Sequence, residues 1–241
     1  MDWIERAAGT LMARYSASAA IVYGSRVSGE ALADSDLDVL AVSSDVREFE
    51  ERRIPPRDGA LPVEAEIDLR LTTPHGAKWS HVVSPEWRHA FATGRLCGDW
   101  SWFRSDLPLS RQGADDFFGD LAVQFGVAMD WGGTDEETVA DLARLLRREL
   151  LLEAALQDGA FARGWGRWSY FAAVVGVPIE TVNGLRRKEA AALKRIQPEV
   201  LAGIVKGRMA ATEEMLRAYP DNEGDRALAE LLAEGAEAGV R

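Results

Sequence analysis

The sequence predicts an α+β chain: a sheet flanked by helices over residues 1–100, followed by an all-α bundle over residues 101–241. Two observations carry that division. In the first hundred residues, short apolar runs of strand length stand between segments with helical spacing, and they end at glycine, proline or acidic pairs. After Trp100 the strand-length runs stop, and apolar residues recur three and four apart between short connections.

Taken in order, Asp2 is positioned to cap a first helix whose apolar positions are Ile4, Ala8, Leu11 and Tyr15. Residues 19–23, Ala-Ala-Ile-Val-Tyr, read as a strand stopped by Gly24. Residues 26–33 read as a short helical stretch, with Asp34 and Ser35 shaping the turn into a second strand that begins Asp36-Leu37-Asp38-Val39-Leu40. Residues 45–53 read as a charged helical stretch closed by Ile54-Pro55-Pro56. Residues 63–71 alternate: Glu64, Glu66 and Asp68 share one face, while Val63, Ala65, Ile67, Leu69 and Leu71 share the other. Pro74 and Pro85 each open a helix, the second ended by Gly94, and residues 95–99 read as a last short strand holding Cys97.

Residues 100–112 read as a connector. Residues 114–129 form the next helix, and Thr134 with Glu137 makes a capping box for another, apolar on more than one side and therefore central. Residues 165–175 and 178–182 read as short helices, the second stopped at Asn183-Gly184. Pro198 starts a long amphipathic helix that Pro220 stops, and residues 226–234 form one more.

Composition narrows the function classes. The chain carries 28 Lys and Arg against 39 Asp and Glu, a net charge of −11 spread over both halves. Holding a long polyanion calls for a basic lobe, and none stands out, so nucleic acid is an unlikely partner and a small or cationic one fits better. The longest largely apolar run, residues 171–179, is too short to span a bilayer. One cysteine excludes an internal disulfide, the acidic start is not a secretory signal, and His75, His81 and His89 have no zinc spacing. A cytoplasmic location with no membrane partner is expected.

The chemistry sits in Tyr23-Gly24-Ser25-Arg26 and the Asp36-x-Asp38 strand. Residues two apart on a strand point the same way, and two like charges that close repel unless a cation lies between them. Hard cations such as Mg²⁺ take oxygen ligands and substrate phosphates. Gly24 allows close backbone approach to a phosphate, and Ser25 offers a hydroxyl and an amide. Arg26 is the nearest cation for a triphosphate, and the acidic strand at residues 63–71 offers a third carboxylate.

This set of residues resembles the motif of the nucleotidyltransferase superfamily typified by DNA polymerase β, in its small bacterial form. The resemblance implies a mixed sheet over residues 1–100. It further implies Mg²⁺, two ions in all, bound by Asp36 and Asp38, with Asp68 joining them or acting as base. Gly24 and Ser25, with Arg26, would hold the nucleoside triphosphate, ATP in the first instance. Glu66 is a fourth carboxylate beyond the expected three: a general base, a contact for a cationic acceptor, or a solvated residue. A catalytic domain followed by a helical one is similar in layout to the aminoglycoside and lincosamide nucleotidyltransferases, which implies a small-molecule acceptor and a role in antibiotic resistance. Transfer to a protein or tRNA, and a non-catalytic nucleotide-binding module, are the alternatives; the sequence leaves the oligomeric state open.

Overall fold

The computed structural model describes residues 3–46, 50–55, 65–130, 134–157 and 159–237. Contacts group the chain into two compact units, one of Met1–Val82, Trp87–Leu107 and Arg226–Arg241, the other of Val83–Glu86 and Pro108–Asp225.

The first unit is a mixed five-stranded sheet with helices on both faces. Helix α1 (Trp3–Arg14) precedes β1 (Ala19–Tyr23), and a single turn α2 (Ser25–Ser28) leads to β2 (Leu37–Val42). Strands β3 (Glu50–Ile54) and β4 (Ile67–Thr72) follow, then α3 (Pro74–Val83), α4 (Pro85–Thr93) and β5 (Arg95–Gly98). The strand order is β3-β4-β2-β1-β5. β2 runs parallel to β4, whereas the pairs β1–β2, β1–β5 and β3–β4 are antiparallel.

Alternation along the strands sorts the core into two layers. Ala20, Val22, Leu37, Val39, Ala41, Ile67, Leu69 and Leu71 meet Ile4, Ala7, Ala8 and Leu11 of α1 on one face. On the other, Ala19, Ile21, Leu40 and Val42 meet Ala77, Phe91 and an aromatic group of Trp87, Trp100, Trp102 and Phe103. β2 and β4 are apolar on the first face and carry Asp38, Asp68 and Arg70 on the second. His81 is sealed into the second face against Phe91 and Phe103, with ring centroids at 5.1 and 5.0 Å. Burial, then the nearby Arg88 charge, pushes its pKa down to about 3, so it stays neutral at physiological pH.

Several expectations are corrected. The helical stretch expected at residues 26–33 ends at Ser28, because Gly29 turns left-handed there with φ +78°. Residues 50–53, expected to be helical, lie in β3; residues 47–49 fall outside the described set. Their charges suit an edge strand, where side chains reach water while the backbone bonds to β4. The aromatic half of the expected connector, Trp100 to Phe103, packs onto the sheet; the Phe91 and Phe103 rings stack at 4.2 Å.

The second unit is helical. Its long members are α5 (Arg111–Asp130), α6 (Asp135–Ala155) and, after the short α7 (Trp168–Val175), α8 (Ile179–Arg186) and α9 (Ala190–Leu193), α10 (Pro198–Ala218). α6 is the central helix: Leu142, Leu146, Leu150 and Leu152 are all buried, and the Thr134–Glu137 capping box is formed at its start. The expected stop at Asn183-Gly184 is not one, since α8 runs on to Arg186. Gly184 serves contact instead: a Cβ there would stand 2.5 Å from the Ala192 Cβ. The helix expected from residue 165 begins at Trp168, after a run of turns. Most of the last helix, α11 (Glu223–Glu237), belongs to the first unit, where the Glu234 carboxylate lies 3.7 Å from His75 Nδ1 of α3. Among the described residues no helix is long and apolar enough to cross a membrane.

Candidate active site

The site is assembled where β1 ends and β2 and β4 begin. β1 runs out at Tyr23, and Gly24 turns the chain with φ +81° and ψ −162°, a conformation that is essentially glycine-only. α2 then makes one turn, with the Val27 and Ser28 amides donating to the Gly24 carbonyl. The return to β2 is braced from within: Arg26 Nε donates to the Ser35 carbonyl at 2.8 Å, and the Leu32 amide donates to Ser35 Oγ at 2.9 Å. This delivers Asp36 just ahead of β2 and Asp38 inside it.

Parallel pairing of β2 with β4 sets Asp38 directly beside Asp68. Carboxylate oxygens of Asp36, Asp38 and Asp68 lie within 4.8 Å of one another, and all three residues are half-buried. Burial, then the charges of Asp36 and Asp68, pushes the Asp38 carboxyl up to about 7. Three such groups at that separation repel one another, and an all-oxygen donor set of this kind suits a hard divalent cation. The residues present fit such an ion.

Gly24 has a second reason to be glycine, set by the packing of β1 against β2. A Cβ built on it would fall 2.0 Å from Asp38 Oδ2 and 3.0 Å from Asp38 Cγ. The missing side chain makes room for the carboxylate itself. Ser25 follows as the first residue of α2, half-buried beside it.

The remaining candidates stand as follows. Arg26 points its guanidinium at the Ser35 carbonyl, so it is engaged in holding the loop. Glu66 lies just before β4 and accepts from Arg53 Nη1 of β3 at 2.8 Å; both side chains are largely exposed. Asp34 is exposed in the turn and outside the carboxylate group. Glu64 lies outside the described residues.

Two neighbours were given no role from the sequence. Tyr23 pairs in register with Asp38, and Arg70 stands two residues beyond Asp68 on the same face. Burial raises the Tyr23 phenol well above its ordinary value, so it is un-ionised. The signal for Arg70 was present, since any residue two from Asp68 on a strand shares its face.

Residues 4–86 match the family model described as "Nucleotidyltransferase domain". This stretch is a nucleotidyltransferase domain. No curated protein matches the chain. The matched region holds the Gly24-Ser25 turn, all three aspartates and the strands that carry them, so the whole carboxylate group lies within it. A domain of this family followed by a helical region is the architecture of the protein.

Proposed function

We propose that the protein transfers a nucleoside monophosphate, AMP in the first instance, from a nucleoside triphosphate to a hydroxyl of a small, cationic acceptor such as an aminoglycoside-like antibiotic, the acceptor oxygen bonding the α-phosphorus as pyrophosphate leaves. The observation that carries the reading is the convergence of Asp36, Asp38 and Asp68 inside a nucleotidyltransferase domain. In this reading Asp36, Asp38 and Asp68 hold Mg²⁺. When bound there, such an ion would neutralise charge on the phosphates and lower the pKa of a bound hydroxyl. In the same reading Asp68, in register beside Asp38 on the neighbouring strand, accepts the acceptor's proton. Gly24 and Ser25, at the turn against Asp38, position the triphosphate tail. Glu66, tied to exposed Arg53, fits a solvated residue better than a base. The net charge of −11 favours a cationic acceptor, and the catalytic-plus-helical layout resembles that of the antibiotic nucleotidyltransferases.

The test is mass spectrometry of products after incubation with each nucleoside triphosphate, Mg²⁺ and a panel of hydroxyl acceptors, aminoglycosides included. Asp36→Asn and Asp38→Asn should abolish transfer while leaving the thermal transition in place. Full turnover in either variant overturns the assignment, and modification confined to protein or tRNA overturns the small-acceptor reading.

A further inference from the structure

The face that carries the carboxylates also holds a half-buried cation, Arg70, that the proposed reaction does not use. Arg70 is two-thirds shielded from solvent; its Nη2 lies 3.7 Å from Asp68 Oδ2 and its Nε 3.4 Å from Glu51 Oε1. Glu51 stands directly across from it on β3. Trp87 of α4 covers the guanidinium, whose carbon is 5.5 Å from the ring centroid, and Trp87 in turn meets Tyr23 edge-on at 5.5 Å. The Tyr23 hydroxyl and Arg70 Nε are both closed to solvent and lack a hydrogen-bond partner. The guanidinium is therefore caged by an aromatic ring and two carboxylates, yet makes no short hydrogen bond to Asp68.

Two physical facts give that arrangement a consequence. An arginine keeps its charge at any physiological pH, so the positive charge beside Asp68 is permanent. A fixed cation next to a divalent-cation site stabilises the negative charge of the empty site and repels the incoming ion. We infer that Arg70 is a positioning residue that acts as the resident counter-ion of the carboxylate group, holding Asp68 while no metal is bound and competing with the metal for it. The inference rests on the reading of the three aspartates as a cation site. Its functional meaning is that a metal ion binds poorly alone and well together with a triphosphate, whose negative charges offset Arg70.

Mn²⁺ binding followed by electron paramagnetic resonance, with and without a non-hydrolysable ATP analogue, tests this. Without nucleotide, Arg70→Met should bind Mn²⁺ about tenfold tighter than wild type, the effect of one unit charge on a divalent ion a few ångströms away. Arg70→Lys, which keeps the charge, should stay close to wild type. The enhancement produced by the nucleotide analogue should shrink in Arg70→Met. Should Arg70→Met not fold, Glu51→Gln on the exposed edge strand gives the opposite test: loss of Arg70's other partner should weaken Mn²⁺ binding about two- to threefold. Unchanged or weaker binding in a folded Arg70→Met, or unchanged or tighter binding in Glu51→Gln, overturns the role of Arg70. Mn²⁺ binding that is absent in wild type, or unaffected by Asp38→Asn, overturns the cation site itself.

Discussion

Replacing Gly24 by alanine probes the centre of the site with one methyl group. The new Cβ would lie 2.0 Å from Asp38 Oδ2, far inside van der Waals contact, and the backbone at φ +81°, ψ −162° disfavours any L side chain. The backbone cost alone is on the order of 1–3 kcal/mol. The clash adds to it and must be relieved by swinging the Asp38 carboxylate aside or by displacing the β1–α2 turn. Either movement removes one of three carboxylates from the group, and a loss of about 2 kcal/mol in binding corresponds to roughly thirtyfold in affinity. Gly29 is the internal control: it also has positive φ, at +78°, but a Cβ there meets nothing within 4 Å. Gly29→Ala should therefore lower the melting temperature modestly and leave divalent-ion affinity unchanged, whereas Gly24→Ala should lower that affinity by an order of magnitude or more. Titration calorimetry with Mn²⁺ on folded samples of both variants, checked by circular dichroism, reads the difference. Wild-type ion affinity in Gly24→Ala would refute the close-approach argument.

Two pH effects follow from the buried carboxyls. Asp38 titrates near 7 because burial and its two acidic neighbours disfavour its charge, so the metal must displace a proton below that pH. Apparent Mn²⁺ affinity should fall as pH drops through 7 toward 5, by up to about tenfold per unit, and a flat profile would contradict it. In the helical unit, Glu149 is 1% exposed, and its carboxylate makes no hydrogen bond of good geometry, although the neighbouring Thr212 hydroxyl partly offsets the cost of its charge. Nearby Glu153, by contrast, is paired with Arg208 at 3.0 Å. Burial is the main force that lifts Glu149 to about 7. A folded-state pKa above the unfolded value means full stability at low pH, lost as pH rises from about 4.5 through 7. Glu149→Gln should thus be more stable than wild type at pH 8 by about 3 kcal/mol and near parity at pH 4.5, as read by urea melts at both pH values. Equal stability of the two proteins at pH 8 would show that the carboxylate is compensated.

Residue order alone determined strand β1 and the body of β4, which starts at Ile67 rather than at residue 63, because apolar runs of strand length have few other ways to bury themselves, and it placed the long helices of the second unit through spacing and caps. It also singled out Asp36 and Asp38, since side chains two apart on a strand must share a face and like charges there call for a cation, while only the family resemblance picked Asp68 from the three acids of its strand. What it could not supply was anything set by a neighbour distant in sequence. Glu50–Ile54 carries too little apolar alternation to read as a strand, and it becomes one only because β4 offers a free edge for its backbone. Gly184 looks like a helix stop until Ala192 is seen against it. The room that Gly24 leaves for Asp38, and the cage that holds Arg70 beside Asp68, depend on strand register across the sheet. A one-residue slip in that register would point these groups at opposite faces, so packing of the whole sheet, rather than any local preference, fixes the site.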